Sequence, residues 1–133
     1  LSVFGDGLQQ RAFSYIGDVA PWIAWSPEVQ GARNETFNIG ADEEYSVKAL
    51  AEATMGALGI RAGLRHLPAR QEVVHAYADH SKARRIFGLG PRVSLQDGLG
   101  RMAVWAQKAG IRKSQRFKDI EIDRGLPAVW QED

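Results

Sequence analysis

The chain has 133 residues, and its 17 Lys and Arg against 16 Asp and Glu leave a formal net charge of +1. That balance gives no bulk attraction to nucleic acid or to a membrane surface, so any anion site has to be local. The absence of cysteine excludes disulfides, zinc–thiolate sites and thiol nucleophiles, and it fits a reducing cytoplasm.

No apolar run approaches the roughly 20 residues of a membrane span, and no signal peptide is visible, so we expect a soluble, cytoplasmic protein. The length fits one domain, since such a chain buries roughly two-thirds of its unfolded surface. We assign residues 1–133 to a single domain, with a main body over 1–110 and a basic tail and C-terminal strip over 111–133. The apolar start at Leu1 reads as a beginning in mid-fold.

Short strand-like and helix-like segments alternate along the chain and predict a small mixed α/β fold. Leu1–Phe4 and Ala12–Ile16 are predicted strands, separated by the turn Gly5-Asp6-Gly7 in which glycine supplies positive φ. Asp18 is expected to cap a helix that starts at Val19 and ends before Pro27. The β-rich segment Glu35–Ile39 is the next predicted strand.

The second half of the chain carries the clearest helix signals. Ser46 caps a predicted helix that ends at Gly59, and one apolar stripe runs along it: Val47, Leu50, Ala51, Met55 and Leu58. Ser94, with Asp97 three residues later, begins another predicted helix that ends at Gly110. Its predicted inner face is Leu95, Leu99, Met102, Ala103 and Ala106.

Between those helices lie shorter predicted elements. Leu64–Leu67 and Val74–Ala78 are expected to be extended, and Ser81 is expected to cap a short helix that stops at Gly88. Beyond Ile111 a cationic segment leads to a strand-like strip that Trp130 is expected to anchor. For Trp22, Trp25 and Trp105, which fall on predicted helices, core packing is the expected role.

The residues needed for several kinds of binding and catalysis are absent from the sequence. The turn Gly5-Asp6-Gly7 leads into a strand and not a helix, so no dinucleotide-binding loop is present, and NAD binding is unsupported. No tyrosine stands four residues before a lysine, so we assign no catalytic residue. The three histidines lack the spacing of helical zinc ligands, and we assign no metal site. The consecutive Asp79, His80 and Ser81 point in divergent directions, which is unsuitable for a hydrolytic triad.

Two arginines remain as candidate anion ligands. Arg11 follows the glycine turn, and Arg70 follows Pro68 in the stretch "PARQEVVHAYADHSKA" at 68–83. A guanidinium on a stiffened backbone suits bidentate contacts with phosphate. The alternative for each is a solvated arginine or a weak surface ion pair.

The ordered segments "FGDGLQQRAFSYIGDVA", "ETFNIGADEEYSVKALAEA", "PARQEVVHAYADHSKA" and "VSLQDGLGRMAVWAQKAG" resemble the C-terminal half of the extended short-chain dehydrogenases/reductases. Within that family they are similar to NAD-dependent sugar-nucleotide epimerases and dehydratases, with UDP-glucose 4-epimerase as the type. The resemblance covers nearly the whole chain. It implies an α/β fold that corresponds to the C-terminal, substrate-binding part without the N-terminal Rossmann half.

The resemblance also implies roles for four residues. Phe4 would lie against uracil, and Arg11 and Arg70 would contact the diphosphate of a UDP-sugar. Glu72 lies near the sequence position where relatives carry an aspartate that contacts the ribose hydroxyls. The loop around Glu72 is one residue shorter here, and Ala12 replaces the acidic residue that commonly follows the first arginine. The family's NAD-binding loop and Tyr/Lys pair belong to the N-terminal half, so NAD is implied for that half alone.

We therefore interpret the chain as a truncated or separately encoded UDP-sugar-binding portion of such an enzyme, not catalytic alone. The missing half either acts in trans as a Rossmann-type partner or has been lost. A homo-oligomer, most simply a dimer, is expected because the surfaces that the N-terminal half covers in relatives would be exposed in this chain. The alternative function is a non-catalytic oligomerising module derived from the family.

Overall fold

Two small sheets and four helices make up residues 1–111, the part of the chain that the computed structural model describes. The predicted small mixed α/β class is therefore confirmed. The predictions made for the tail, including the strip at Trp130, lie outside the described residues. No helix within residues 1–111 is long and apolar enough to cross a membrane.

The first sheet joins the start of the chain to a segment far along it. Strand β1 (Ser2–Phe4) pairs in parallel with β4 (Arg65–Leu67). Val3, the residue opposite His66, is buried, whereas the two ends of β1 are more exposed. Both strands lie within the segments predicted from the sequence, and each is one residue shorter than predicted.

The second sheet has three strands, and β2 (Gln10–Ala12) is its centre. It pairs antiparallel with β3 (Glu44–Ser46) and parallel with β5 (His75–Ala76). The backbone N–H of Gln10 also donates to the Val74 carbonyl at 2.7 Å. Residues near position 10 and residues near position 75 thus meet in one small sheet.

The helices are α1 (Ala20–Trp25), α2 (Val47–Leu58), α3 (Ser81–Phe87) and α4 (Leu95–Ala109). Short 3-10 turns cover Ile16–Asp18, Ser26–Glu28 and Gln30–Ala32. The Ser46 hydroxyl accepts the N–H of Ala49 at 3.0 Å, and the Ser94 hydroxyl accepts the N–H of Asp97 at 3.1 Å. Both predicted serine caps are confirmed, as is the left-handed Gly59 that ends α2.

The predicted strands at Ala12–Ile16 and Glu35–Ile39 are wrong in position or kind. The ladder partners of β2 reach only as far as Ala12, and the chain then turns into the 3-10 turn that begins at Ile16. No strand pairs with Glu35–Ile39 within the described residues, and Phe37 and Ile39 pack instead against the core. The β-rich composition of Glu35–Ile39 therefore reflects side chains that are partly buried. Composition alone does not make a strand, because a strand also needs a neighbouring strand to pair with.

Two predicted helix caps are also wrong. The Asp18 carboxylate makes no cap bond to α1, because it accepts the N–H of Val93 at 2.7 Å across the fold. Ser81 is the first residue of α3 and not its cap. Its N–H and hydroxyl both donate to the Asp79 carboxylate at 2.8 Å, and these two hydrogen bonds lower the pKa of Asp79. The Asp18 carboxylate is engaged by a distant backbone N–H, and the Ser81 hydroxyl is engaged by the carboxylate of Asp79, so neither is available as a cap.

The core is small and centred on α3. Ala83, Phe87 and Leu89 are buried, and five partly buried apolar residues pack on them: Trp22, Val29, Ala32, Phe37 and Ile39. Helices α2 and α4 pack on each other through Ala51, Leu99 and Ala103, which are buried. The predicted inner faces are only partly right, because Leu58, Met102 and Ala106 are exposed.

The expected core role of the tryptophans holds only for Trp22, whose ring lies 6.2 Å from that of Phe87. Trp25 and Trp105 are more than half exposed, at 53% and 61%. Helix α1, which carries Trp25, has no buried residue, and the buried positions of α4 are Gly98, Leu99 and Ala103. An apolar side chain at helical spacing therefore does not by itself establish a core position here.

Below the core, the buried His80 links two separate segments. Its Nδ1 lies 3.0 Å from Oδ1 of Asp42, and the same carboxylate faces the Arg84 guanidinium at 3.4 Å. The hydrogen bond to His80 lowers the pKa of Asp42, with further lowering from the charges of Arg84 and Arg92. The pair fixes the loop before β3 to the start of α3.

We expect the Asp42→Asn variant to lose about 1 kcal/mol of unfolding free energy at pH 7, because a partly exposed charged hydrogen bond is lost. A carboxyl with a lowered folded pKa stabilises the protein above its unfolded pKa, and this stability disappears as the pH falls. Urea unfolding of the two proteins should therefore converge as the pH drops below about 4.

The control is Glu52→Gln, which removes an exposed carboxylate on α2. It should leave the unfolding free energy unchanged at both pH values. An Asp42→Asn deficit that is the same at pH 7 and at low pH would rule out the ionised pair as its cause.

Candidate functional site

A glycine turn holds Phe4 at the end of β1. Gly5 and Gly7 have φ values of 63° and 76°, which glycine adopts without strain. A Cβ on Gly7 would lie 2.9 Å from Val3 Cγ1, so a larger residue would also clash there. His66 Nδ1 donates to the Gly5 carbonyl at 2.7 Å, and the Gly5 N–H donates to the Leu67 carbonyl at 3.0 Å. The turn is thus tied to β4.

Arg11 lies within β2 and is held by backbone carbonyls. Its Nη1 donates to Gln10 O at 2.6 Å and to Val74 O at 3.3 Å. Its Nη2 faces the Glu72 carboxylate, with 3.2 Å to Oε2. The guanidinium is about three-quarters buried, so its direction is fixed by the sheet.

Arg70 is held differently, by an aromatic ring. Its Cζ lies 4.3 Å from the centroid of Phe4. A cation over an aromatic face at a partly exposed site contributes about 0.5–1 kcal/mol. The side chain remains 41% exposed, so it stays accessible to a ligand.

Glu72 connects the two arginines. Its Oε2 pairs with Arg11, and its Oε1 lies 3.5 Å from Arg70 Nε. The Gln9 side-chain amide donates to Oε1 at 3.1 Å and to the Phe4 carbonyl at 3.3 Å. The four residues named from the sequence therefore lie in one cluster, which we call the arginine cluster (Phe4, Arg11, Arg70 and Glu72). Gln9 was missed, because no local pattern marks a side-chain amide as a bridge.

A cleft of about 240 Å³ opens beside the arginine cluster. Its charged lining residues are Asp6, Arg70 and Glu72, and the others include Phe4, Gln9 and Val74. Arg11 is not among the lining residues, and its Nη2 faces the Glu72 carboxylate. An aromatic face next to a guanidinium can hold a flat ring and an anionic group side by side.

Within residues 1–111, the tyrosine and lysine side chains described below do not form a pair for proton transfer. The Tyr45 hydroxyl donates to the Glu43 carboxylate, which raises the pKa of Tyr45 and makes its hydroxyl harder to ionise. Lys82 Nζ lies 2.6 Å from Glu35 Oε2 and donates to the Thr36 carbonyl, so its ammonium group is engaged by these two partners. No group of three or more His, Asp or Glu suited to a metal ion occurs in this range.

Two relatives of this chain are much longer than the chain itself. A putative UDP-glucose 4-epimerase of Methanocaldococcus jannaschii is 34% identical over 108 residues, which are 77% of this chain and 33% of the relative. A UDP-glucuronate 4-epimerase of Thermodesulfobacterium geofontis is 30% identical over 110 residues, 81% of this chain and 33% of the relative. The chain thus spans about a third of the length of these relatives. No family model matches it.

Similar structures come from the same group of enzymes. UDP-glucuronic acid 4-epimerase from Bacillus cereus, solved in complex with UDP-glucuronic acid and NAD, superposes with a TM-score of 0.73 at 30% identity. The superposition covers 83% of this chain and 36% of that enzyme. The likeness therefore extends from the sequence to the backbone, over about a third of the length of each of these proteins.

Proposed function

We propose that this chain, which belongs to the extended short-chain dehydrogenase/reductase family of NAD-dependent epimerases and dehydratases, is a nucleotide-sugar-binding portion of such an enzyme. It binds a UDP-sugar and is not catalytic alone. Residues 1–133 act as one substrate-binding domain with 1–110 as its body. The NAD-binding half is supplied in trans by a Rossmann-type partner or is lost, and the chain works in the cytoplasm.

The observation that supports this proposal is the convergence of Phe4, Arg11, Arg70 and Glu72. Arg11 and Glu72 are 61 positions apart in sequence and make a direct ion pair. The family resemblance implies a role in substrate binding for these same four residues. A set of solvated surface arginines has no reason to meet an aromatic ring and a shared carboxylate at one cleft.

Each residue has a role that its surroundings allow. Phe4 presents a ring for stacking with uracil, and Arg70, half exposed above that ring, contacts the diphosphate. Arg11 supplies a second guanidinium from the fixed position that β2 gives it. Glu72, an acidic residue of the same cleft, is placed to accept hydrogen bonds from the ribose hydroxyls.

A second function, self-association, is favoured by the exposed apolar surface. Ile23 and Trp25 on α1 are 61% and 53% exposed, and Met102 and Val104 on α4 are 56% and 54% exposed. Strand β1 also pairs with β4 alone within the described residues, which leaves an open edge. Soluble monomers rarely expose large contiguous apolar patches, and open strand edges favour pairing with another chain.

The first test of the proposal is calorimetric titration of the 133-residue chain with UDP, UDP-glucose and NAD. We expect weak binding of the two uridine nucleotides, because only part of a cleft is present, and neither NAD binding nor epimerase activity. Micromolar affinity for NAD, or turnover of UDP-glucose, would contradict the assignment. An absence of UDP binding would favour the oligomerising module instead.

Removing either arginine should weaken UDP binding by about 1.5–3 kcal/mol, the range for hydrogen bonds to charged groups. The variants are Arg11→Ala and Arg70→Ala, and the same titration measures them. His75→Ala serves as the control, since that side chain is largely exposed and pairs with Glu44. Equal affinities for the three variants would show that the arginine cluster is not the binding site.

The exposed apolar surface predicts a homo-oligomer, most simply a two-fold dimer. Light scattering over a concentration series should show a mass above the 14.7 kDa of one chain. Replacing Ile23 and Trp25 together by serine and glutamine should shift the equilibrium toward the monomer. A stable species of 14.7 kDa at high concentration would contradict the expectation.

A further inference from the structure

The carboxylate of Glu72 occupies the position between two guanidinium groups where an incoming anion would bind. Its two oxygens have different partners: Oε2 faces Arg11, and Oε1 faces Arg70 and Gln9. Distances of 3.2 Å and 3.5 Å to the two arginines leave no room for a second anion between them. In this arrangement the two arginines already have a counter-ion from the chain itself.

The charges on the cleft wall point the same way. Asp6, Arg70 and Glu72 line the cleft, so its formal lining charge is −1, and Arg11 lies behind Glu72. Such a wall repels a phosphate. If the Glu72 side chain leaves, the groups that face the ligand become Asp6, Arg70 and Arg11, with a formal charge of +1. The movement of one side chain therefore changes the local charge by two units.

The arginines do not depend on Glu72 for their positions. Arg11 Nη1 is held by the carbonyls of Gln10 and Val74, and Arg70 stacks on the Phe4 ring. Each would keep its orientation after the carboxylate is displaced. The site is thus preorganised for an anion, with an exchangeable group in the anion's place.

We infer that Glu72 is an internal counter-ion that a ligand phosphate must displace, and that this displacement weakens the binding of any anion at the site. The inference rests on the proposed function and replaces the ribose contact proposed for Glu72 by a competing role. A ligand with two linked phosphates can contact both arginines after the displacement. The free energy needed to move Glu72 is the same for a monophosphate and for a diphosphate.

The test is titration of the full chain with inorganic pyrophosphate and with orthophosphate at low salt, where charge effects are largest. Glu72→Gln should bind pyrophosphate about tenfold more tightly than the wild type, because the competing charge is gone. Orthophosphate binding should strengthen by a similar factor, because the same carboxylate has to leave for either anion. Glu52→Gln, which makes the same change in net charge on exposed α2, should behave as the wild type.

Unchanged or weaker pyrophosphate binding by Glu72→Gln overturns the inference, as does a failure of both proteins to bind pyrophosphate. Circular dichroism checks that the variant is folded. If it is not, Glu72→Asp decides, because the shorter acid keeps the charge but no longer spans both arginines and should bind pyrophosphate more tightly than the wild type.

A separate arm tests the proposed function. If UDP-glucose binds no more tightly than pyrophosphate in the wild type and in Glu72→Gln, the uridine site fails while the counter-ion role stands. If UDP-glucose is preferred but Glu72→Gln weakens its binding, the ribose contact is correct and the counter-ion role is overturned.

Discussion

The parallel pairing of the first twelve residues with residues 65–76 is the constraint on which the rest of the described structure depends. One ladder joins β1 to β4 and the other joins β2 to β5. Between them the chain makes the glycine turn, and beyond β4 it makes the loop that carries Arg70 and Glu72. Because both ladders run in the same direction, the turn and the loop lie at the same side. The arginine cluster is the consequence of this pairing.

The residues of the site were predictable, and their arrangement was not. Arginine after a glycine turn and arginine after Pro68 are local signals, and the family resemblance gave Phe4 and Glu72. The contact of one carboxylate with both arginines depends on the register of β2 with β5, which no local pattern contains. For the same reason Gln9, whose amide links Phe4 to Glu72, could not be recognised beforehand.

The fold shows the same division. Helices α2 and α4 could be placed from serine caps and from apolar spacing, because these signals act within a few residues. The strand predicted at Glu35–Ile39 failed because pairing requires a neighbour, and Asp18 and Ser81 failed as caps because a carboxylate bond across the fold or next to the helix took priority. Apolar content likewise predicted burial for Trp25 and Met102, whereas a core this small leaves them exposed. Local chemistry was readable, and competition between partners was not.

The two parallel ladders also determine the order in which the chain can become ordered. The parallel partners β1 and β4 are more than fifty residues apart, and so are β2 and β5, whereas β3 lies nearer to β2. Pairing over such a distance requires the closure of a long loop before any ladder bond forms, which slows folding. During folding β1 stays unpaired until β4 is available, whereas α2 can form meanwhile from local contacts. Until the β1–β4 ladder forms, the apolar segment Leu1–Phe4 is open to mispairing with another strand edge.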